Sequence, residues 1–411
     1  MIKEKGKLLR EAEKQLSIAS SHDKNLALNH VKEAIEKNRQ EILKANAKDI
    51  ENAHKEKMPE GLVDRLMLDN ERIDGIIDGL DTVIKLEDPI WKSEKLWTVE
   101  NGLVITRMSV PLGVIAIVYE SRPNVSVDAF SLALKSGNCI LLRGSSSAIN
   151  SNKALVKAMK EGLRKSPISE HVLEFVDDTD RKHVNDLLKA NEYIDLIIPR
   201  GGKNLIDLVV KNASVPTLQT GEGNCHVFVD ETGNLEDALK IIINAKTQRL
   251  GVCNAIETTL IHKNIAEKFL PMLYDALKDD VELRGDSNSR AIIDIIQARE
   301  EDWKEEYLAA ILAVKVVDSI DEAIEHINKY GTKHSEAIVT ESLKNANKFQ
   351  RQVDASSVYV NASTRFTDGS VFGFGAEMGI STQKIHARGP VGVDQLVSYK
   401  YLVTGQGHIR G

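Results

Sequence analysis

The sequence predicts an α/β protein: a doubly wound parallel-sheet domain, a second α/β domain, and a β-hairpin set ahead of the first sheet. Three observations carry this expectation. From Val114 onward, short apolar runs alternate with helical stretches, so that four βα repeats follow one another as far as Ile198. The runs Val114–Val118 and Cys139–Leu142 are continuously apolar, as parallel strands covered on both faces should be. A second alternation of the same kind begins near Thr258.

Length and composition set the bounds. A chain of 411 residues can hold two or three domains with substantial cores. Its 42% hydrophobic and 28% charged residues are those of an ordinary globular protein. A formal net charge of −7 and a sequence pI near 5.9 argue against a nucleic-acid partner, which would require a basic face. No apolar run reaches the length of a membrane span, and Met1–Lys7 is charged with no apolar stretch behind it. Neither a membrane partner nor a signal peptide is expected. Three cysteines are too few for a disulfide framework and point to a reducing compartment, so a cytoplasmic location is expected. The 11 histidines and the cysteines show no metal-ligand spacing, and no metal site is expected.

The elements follow in order. The first sixty residues are helical by pattern, with Leu28, Val31, Ile35 and Ile42 on one apolar stripe. Pro59 and Gly61 end that region, and Asp69-Asn70 caps a helix through Ile73, Ile76, Ile77 and Leu80. Asn101-Gly102 stands between two β-rich runs in residues 97–110 and predicts a hairpin with a type I′ turn. An isolated hairpin is marginal in water, so this one should pack on another element or subunit. A helix over 126–136 ends at Gly137, a natural C-cap, and Cys139 belongs to a core strand. A helix through Leu155, Met159 and Leu163 comes next. Strands over 172–176 and 193–198 flank a helix at 184–188. The second region reads as helices at 265–277 and 291–299, a strand at 311–317, a helix at 321–329, a strand at 337–340, a helix through Phe349 and a strand at 358–361. A glycine-rich stretch leads to a last β-like run, 396–403.

Two features carry chemistry. In doubly wound sheets, ligands bind outside the carboxyl ends of the strands. Those ends hold Tyr119–Asn124, Arg143–Ser147 and Pro199–Lys203, which are rich in cations, hydroxyls and glycines and suit a phosphate-bearing ligand. The plain alternative is that loops are polar anyway. No Gly-x-Gly-x-x-Gly follows any of these strands, and the nearest match, Gly373–Gly379, has a different spacing. The second feature is Cys253. A helical face of Leu235, Leu239, Ile242 and Ala245 runs towards it, Leu250-Gly251 breaks the helix, and Thr258–Ile261 reads as a strand. A thiol on such a tight connection is a candidate nucleophile, although most free cysteines are small core residues.

The segments Val317–Ile338, Asp302–Tyr307, Tyr119–Asn124 and Gly375–Gln383 together resemble the aldehyde dehydrogenase superfamily. Within it they resemble the branch that reduces the acyl phosphate L-glutamyl 5-phosphate to its semialdehyde in proline biosynthesis. The resemblance covers nearly the whole chain and implies an aldehyde dehydrogenase-like fold. Residues 1–96 and 112–232 would form a doubly wound cofactor-binding domain, and 233–389 an α/β catalytic domain. The β-hairpin 97–111 and the segment 390–411 would form an oligomerisation element. It further implies a homo-oligomer, with glutamate 5-kinase as a candidate partner.

By the same resemblance, Cys253 is the nucleophile, with Asn124 or Asn254 and nearby backbone N–H groups stabilising the oxyanion. The cofactor would be held by Arg143, Gly144, Ser145, Ser146, Arg200, Gly201, Gly202, Lys203 and Gly221, with Glu306 on the nicotinamide ribose. Glu120, Ser121, Arg122, Asn254 and Arg365 would meet the substrate. Many NAD-preferring relatives place a Lys and, three residues on, a ribose-binding Glu where Arg143 and Ser146 stand here. An arginine beside hydroxyls suits the 2′-phosphate of NADPH, unless Arg143 merely pairs with a surface acid. Hydrolytic members carry a general-base Glu where this chain has Gln219, and the nearby Glu222 lies between Gly221 and Gly223. A hydrolytic aldehyde dehydrogenase for another semialdehyde, or a non-catalytic binding member, are the alternatives.

Overall fold

The computed structural model describes residues 1–410 and resolves the chain into two compact units. The first comprises Met1–Gln219, Gly373–Gly379 and Val391–Gly411. The second comprises Thr220–Phe372 and Ile380–Pro390.

The first unit begins with three helices, α1 (Ile2–Leu16), α2 (Ser21–Lys37) and α3 (Arg39–Lys55). Ser20 starts α2 with a capping box: its hydroxyl accepts the Asp23 N–H at 3.1 Å, and the Asp23 carboxylate returns to the Ser20 N–H. The stripe Leu28, Val31, Ile35 and Ile42 is fully buried. After Pro59 comes a short α4 (Glu60–Leu66), then α5 (Asn70–Lys85), where Asp69 Oδ1 accepts the Arg72 N–H at 2.8 Å as the capping pattern requires.

Strands β1 (Ser93–Thr98) and β2 (Val104–Pro111) form the expected hairpin, and the C-terminal strand Val397–Thr404 pairs with the other edge of β2. The turn differs from expectation. A type I′ turn needs positive φ at both central residues, but only Gly102 has it, at 90°. The connection is longer: Val99 N–H bonds Leu103 O at 3.0 Å and Gly102 N–H bonds Val99 O at 2.8 Å, with glycine in the left-handed position.

The doubly wound part runs β3 (Val114–Tyr119), α6 (Val125–Lys135), β4 (Cys139–Arg143), α7 (Ile149–Leu163), β5 (Leu173–Phe175), α8 (Lys182–Leu188), β6 (Leu196–Arg200) and α9 (Lys203–Asn212). The four strands are parallel in the order β5-β4-β3-β6, and every residue of β3 is buried. Gly137, at φ 75°, closes α6. The last strand starts later than expected, because Tyr193 and Ile194 turn back to bond Ala190 O. The order reverses beside β3, with β4 and β5 on one side and β6 on the other. The loops after β3 and β6 therefore meet at a topological switch point, where such sheets bind ligands.

The second unit is a seven-stranded, wholly parallel sheet. In chain order it holds β7 (Cys225–Val229), α10 (Leu235–Thr247), β8 (Ile256–His262), α11 (Lys263–Leu277), β9 (Glu282–Gly285), α12 (Ser287–Arg290), β10 (Ile296–Gln297), β11 (Ile311–Val317), α13 (Ile320–Tyr330), β12 (Ser335–Val339), α14 (Leu343–Gln352) and β13 (Ser357–Val360). The strand order is β10-β9-β11-β8-β7-β12-β13, with apolar clusters on both faces. Two expectations are corrected here. The sequence boundary at 232 falls instead before residue 220, because β7 is paired between β8 and β12 and belongs to this sheet. The helix expected over 291–299 is absent: Asp286 caps a single turn, α12, and Ile296–Gln297 joins the sheet edge beside β9. Strand pairing overrides the local period there.

Candidate active site

Cys253 lies on the connection between α10 and β8, half-exposed, whereas Cys139 and Cys225 are buried. Its peptide is held from several directions. Ala255 N–H bonds Val252 O at 3.1 Å and turns the chain around the cysteine. The Cys225 thiol donates to Cys253 O at 3.2 Å. Gly223 lies directly against the same carbonyl: a Cβ at that position would stand 1.4 Å from Cys253 O, so the backbone approach requires glycine. Thr364 Oγ1 donates to Asn254 O at 2.7 Å. The thiol thus projects from a braced turn while the apolar part of the sheet begins only at Ala255.

Asn254 has a different task from the one expected. Its side chain is buried, and its amide donates to Thr367 O at 2.9 Å and Arg365 O at 3.3 Å. With both amide hydrogens committed, Asn254 braces the turn and is not an oxyanion or substrate donor. Arg365 does sit beside the cysteine: its Nε donates to Gln248 Oε1 at 2.8 Å, the residue next to Arg249. Burial pushes the Arg365 guanidinium below its usual range, the neighbouring Arg249 adds to this, and the Cys253 and Asp368 charges oppose it. Positive charge beside a thiol favours the nucleophilic thiolate. Arg249 was singled out by no sequence expectation, because nothing in its spacing distinguishes it from a surface arginine.

Glu306 Oε1 accepts the Gly223 N–H at 2.7 Å and so helps to hold the loop that backs Cys253. The segments Asp302–Tyr307 and Val317–Ile338 supply the rest of that support. Thr332 Oγ1 accepts the Asn224 N–H at 2.9 Å, and Asn224 Nδ2 donates to Trp303 O at 2.8 Å and Tyr330 O at 3.1 Å. His334 Nδ1 lies 3.8 Å from the Cys225 sulfur, and burial lowers its pKa to about 4, so it stays neutral. Glu336 accepts both the N–H and the Nδ1 of His226, at 2.8 and 2.9 Å. The segments therefore brace β7 and the Gly221–Asn224 loop. Gly221 itself belongs to this second unit, and its N–H already bonds Ile380 O at 3.0 Å, so it offers no donor to a cofactor.

In the first unit the three expected loops meet on one sheet edge. Ser121 Oγ lies 2.8 Å from Ser147 Oγ, and Ser145 Oγ lies 2.7 Å from Ser147 Oγ, which joins the loops after β3 and β4. Ser146 is exposed beside them, and Gly144 lets the backbone lie against Asn152, which would collide with a Cβ at 2.2 Å. Glu120 Oε2 accepts the Gly202 N–H at 2.9 Å, joining the loops after β3 and β6. This corrects one expectation. Gly201 makes room for Glu120, whose carboxyl carbon would lie 2.6 Å from a Gly201 Cβ, and the Glu120 carboxylate already holds the N–H of Gly202, the residue before α9. The Gly202 N–H is therefore taken, and the Glu120 carboxylate beside Gly201 disfavours a phosphate at this turn. Asn124 Nδ2 donates to Asp128 Oδ2 at 2.9 Å, which commits one amide hydrogen. Burial raises the Asp128 pKa to about 6, against the pull of Asn124 and Arg200. Arg122 and Lys203 lie on the same loops, in the first turn before α6 and at the start of α9.

Arg143 makes no ion pair among the described residues, which removes the surface-acid alternative. Its only hydrogen bond is a long one, Nη2 to Thr179 O at 3.4 Å, and its buried Nε has no partner. Burial lowers its pKa, and so does the repulsion of Arg181, a second guanidinium that arrives from the start of α8, 38 positions away in sequence. Two mutually repelling guanidiniums with unfilled donors are a fit for a phosphate dianion, and this is the structural test that a 2′-phosphorylated nucleotide would pass.

Comparison with known proteins gives a consistent account. The aldehyde dehydrogenase family model matches residues 7–288 and 284–388. The γ-glutamyl phosphate reductase of Alkaliphilus oremlandii is 61% identical over 407 residues, covering 99% of this chain and 98% of the relative. That of Thermotoga petrophila is 53% identical over 409 residues, covering 99% of both. The crystal structure of γ-glutamyl phosphate reductase from Thermotoga maritima superimposes with a TM-score of 0.98 at 52% identity, over 100% of each chain. The braced cysteine, the paired arginines of a loop without a glycine fingerprint, and this full-length similarity lead to one conclusion: the chain belongs to the aldehyde dehydrogenase family, in its γ-glutamyl phosphate reductase branch.

Proposed function

We propose that this chain reduces L-glutamyl 5-phosphate to L-glutamate 5-semialdehyde with NADPH and releases phosphate, through a thioester on Cys253. The observation that carries this reading is Cys253 itself, half-exposed on a turn braced by Gly223, Cys225, Asn254 and Thr364, on a chain similar to γ-glutamyl phosphate reductases along its full length. The Cys253 thiolate attacks the acyl carbon, a tetrahedral oxyanion forms, and phosphate leaves to give the thioester. Backbone N–H groups at Cys253–Asn254 stabilise that oxyanion. When bound, the nicotinamide cofactor supplies the hydride that turns the thioester into aldehyde. Arg365, which bonds Gln248 and feels the charges of both Arg249 and Cys253, is the cation that holds an anionic group of the substrate, with Arg249 of the Gln248–Asn254 turn as its neighbour. Arg122 and Ser121 are further candidate substrate contacts. The test is NADP⁺ reduction with glutamate 5-semialdehyde in the presence of phosphate. An inactive, folded protein would overturn the proposal.

The choice of NADPH rests on Arg143, Ser145 and Ser146, with Arg181 added by the structure and Arg200 and Lys203 as flanking cations. Arg143→Glu is expected to raise the KM for NADPH far more than that for NADH. Loss of a charge-assisted phosphate contact, with added repulsion, is worth roughly 2–3 kcal/mol, some tens- to hundred-fold. Equal effects on both cofactors would show that Arg143 does not read the 2′-phosphate.

A homo-oligomer is proposed on the three-stranded sheet of β1, β2 and the C-terminal strand. It exposes Leu96 (63%), Tyr401 (53%) and Val403 (56%), more apolar surface than a two-faced ribbon in water tolerates alone. Leu96→Glu with Val403→Glu is expected to lower the sedimenting mass without lowering the melting temperature of the subunit. An unchanged mass would return the sheet to an intramolecular role.

A further inference from the structure

Next to Cys253 lies a buried ion pair for which the proposed chemistry has no use. Lys246, at the end of α10, and Glu257, in β8, are each fully buried and paired through Lys246 Nζ and Glu257 Oε2. Lys246 Nζ also donates to Ile256 O at 3.1 Å. A buried pair of this kind is weak evidence for stability, since apolar residues of like volume serve a core as well. Its other contacts show what it does. Glu257 Oε1 accepts the N–H of Leu308 at 3.2 Å. Leu308 is held at φ +51°, a left-handed conformation that a leucine adopts only when its surroundings impose it. The residue before it, Tyr307, is anchored as firmly: its hydroxyl donates to Asp302 Oδ1 at 2.7 Å, and Asp302 is paired with Arg284 at 2.7 Å. The Arg284 guanidinium lies 5.3 Å from the Tyr307 ring centre and Lys246 Nζ lies 5.9 Å from it. The residue before Tyr307 is Glu306, whose carboxylate holds the Gly223 N–H against the Cys253 carbonyl.

We propose that Glu257 is a positioning residue for the nucleophile: charge-balanced by Lys246, it fixes the Tyr307–Leu308 turn so that Glu306 pins Gly223 onto the Cys253 peptide. The connection is continuous, from the α10–β8 pair to the Leu308 N–H, along the chain to Glu306, and through Gly223 to the cysteine. It explains why an unfavourable φ is tolerated at Leu308, and why a charged pair occupies a site that apolar residues would fill. The inference rests on the reading of Cys253 as nucleophile given above.

Two double variants isolate the acceptor from the charge. Lys246→Met with Glu257→Gln removes both charges and keeps an oxygen for the Leu308 N–H. Lys246→Met with Glu257→Leu removes both charges and that oxygen. Both replace the pair without leaving a lone buried charge, so both are expected to fold and melt close together. Turnover is read as phosphate-dependent NADP⁺ reduction with glutamate 5-semialdehyde. The glutamine variant is expected to keep kcat within about three-fold of the wild type, and the leucine variant to lose roughly 10²-fold in kcat, the cost of a misplacement near 1 Å. Its KM for the semialdehyde should stay near the wild-type value. Should the leucine variant fail to fold, Tyr307→Phe loosens the same turn from its other anchor, leaves the core intact, and is expected to lower kcat about ten-fold at an unchanged melting temperature. Equal kcat for the two double variants at equal stability overturns the proposal, as does a fully active Tyr307→Phe. An inactive wild type would instead overturn the function itself, so the two failures are distinguishable.

Discussion

Cys253→Ala is expected to abolish turnover, by roughly 10⁴-fold or more, while the protein stays folded and binds NADPH. The large effect follows from covalent catalysis: without a sulfur there is no thioester and no substrate for hydride transfer. The fold should survive because the groups bracing this turn act on backbone atoms. The Cys225 thiol bonds the Cys253 carbonyl, Gly223 packs on the same carbonyl, and Thr364 bonds Asn254 O, none of which an alanine removes. NADPH binding should survive because Arg143, Ser145 and Ser146 lie in the other unit. Fluorescence titration with NADPH alongside a turnover assay checks both halves. The same protein offers a chemical control. Iodoacetamide should modify Cys253 ahead of Cys139 and Cys225, whose thiols are buried and pushed well above their usual pKa by that burial. Appreciable activity in the alanine variant would exclude covalent catalysis at this residue. Cys225 is not the neutral bystander that composition implies: Cys225→Ala is expected to slow turnover modestly, through the lost bond to Cys253 O.

The second large effect concerns water. A thioester on Cys253 can be reduced, returned to phosphate or hydrolysed, and hydrolysis wastes the acyl phosphate. By the family resemblance Gln219 takes the place of the general-base glutamate of hydrolytic members, and a neutral amide cannot take a proton from water. That base is worth roughly 10²–10⁴ in rate. Oxidation of glutamate 5-semialdehyde by NADP⁺ is therefore expected to be slow without phosphate and to accelerate when phosphate or arsenate is added. Gln219→Glu should weaken that dependence by admitting hydrolysis. Fast oxidation by the wild type without phosphate would count against this account. The carboxylate of Glu222 would then be the first alternative base, since it lies between Gly221 and the Gly223 that touches Cys253.

Much of the fold was legible because it is written in local patterns. The continuous apolar runs of β3 and β4, the stripe of α2, the Asp69 cap and the Gly137 stop each depend on neighbours within a few residues, and each stands in the structure as expected. The errors share a cause. Cys225–Val229 is five residues long, too short for periodicity to separate strand from buried helix. Only its pairing with β8 and β12 places it in the second unit. Residues 291–299 have a helical spacing, but a sheet edge was available for Ile296–Gln297 and took it. The type I′ turn failed because Asn101 can adopt positive φ without being obliged to.

The site divides in the same way. Cys253, Arg143 and Glu306 were nominated by the family resemblance, which rests on residue types and order that can be read from the sequence. Their partners were not, because hydrogen bonding across a folded chain leaves no trace in local spacing. Arg181 reaches Arg143 from another strand–helix connection, and Glu120 fills the glycines that a phosphate would have needed. Asn254 points into the Arg365–Thr367 turn instead of at the substrate. The sequence by itself determined the α/β class, which depends on periodicity, and carried the family resemblance that nominates Cys253 and the Arg143 loop, because residue types and their order survive in one dimension. Only the tertiary structure decided what the Cys253 peptide is packed against: Gly223 on its carbonyl, Glu306 on the Gly223 N–H, and Glu257 on the Leu308 N–H. Those are distances between segments up to 83 residues apart, and they exist only once the parallel sheet has brought the segments together.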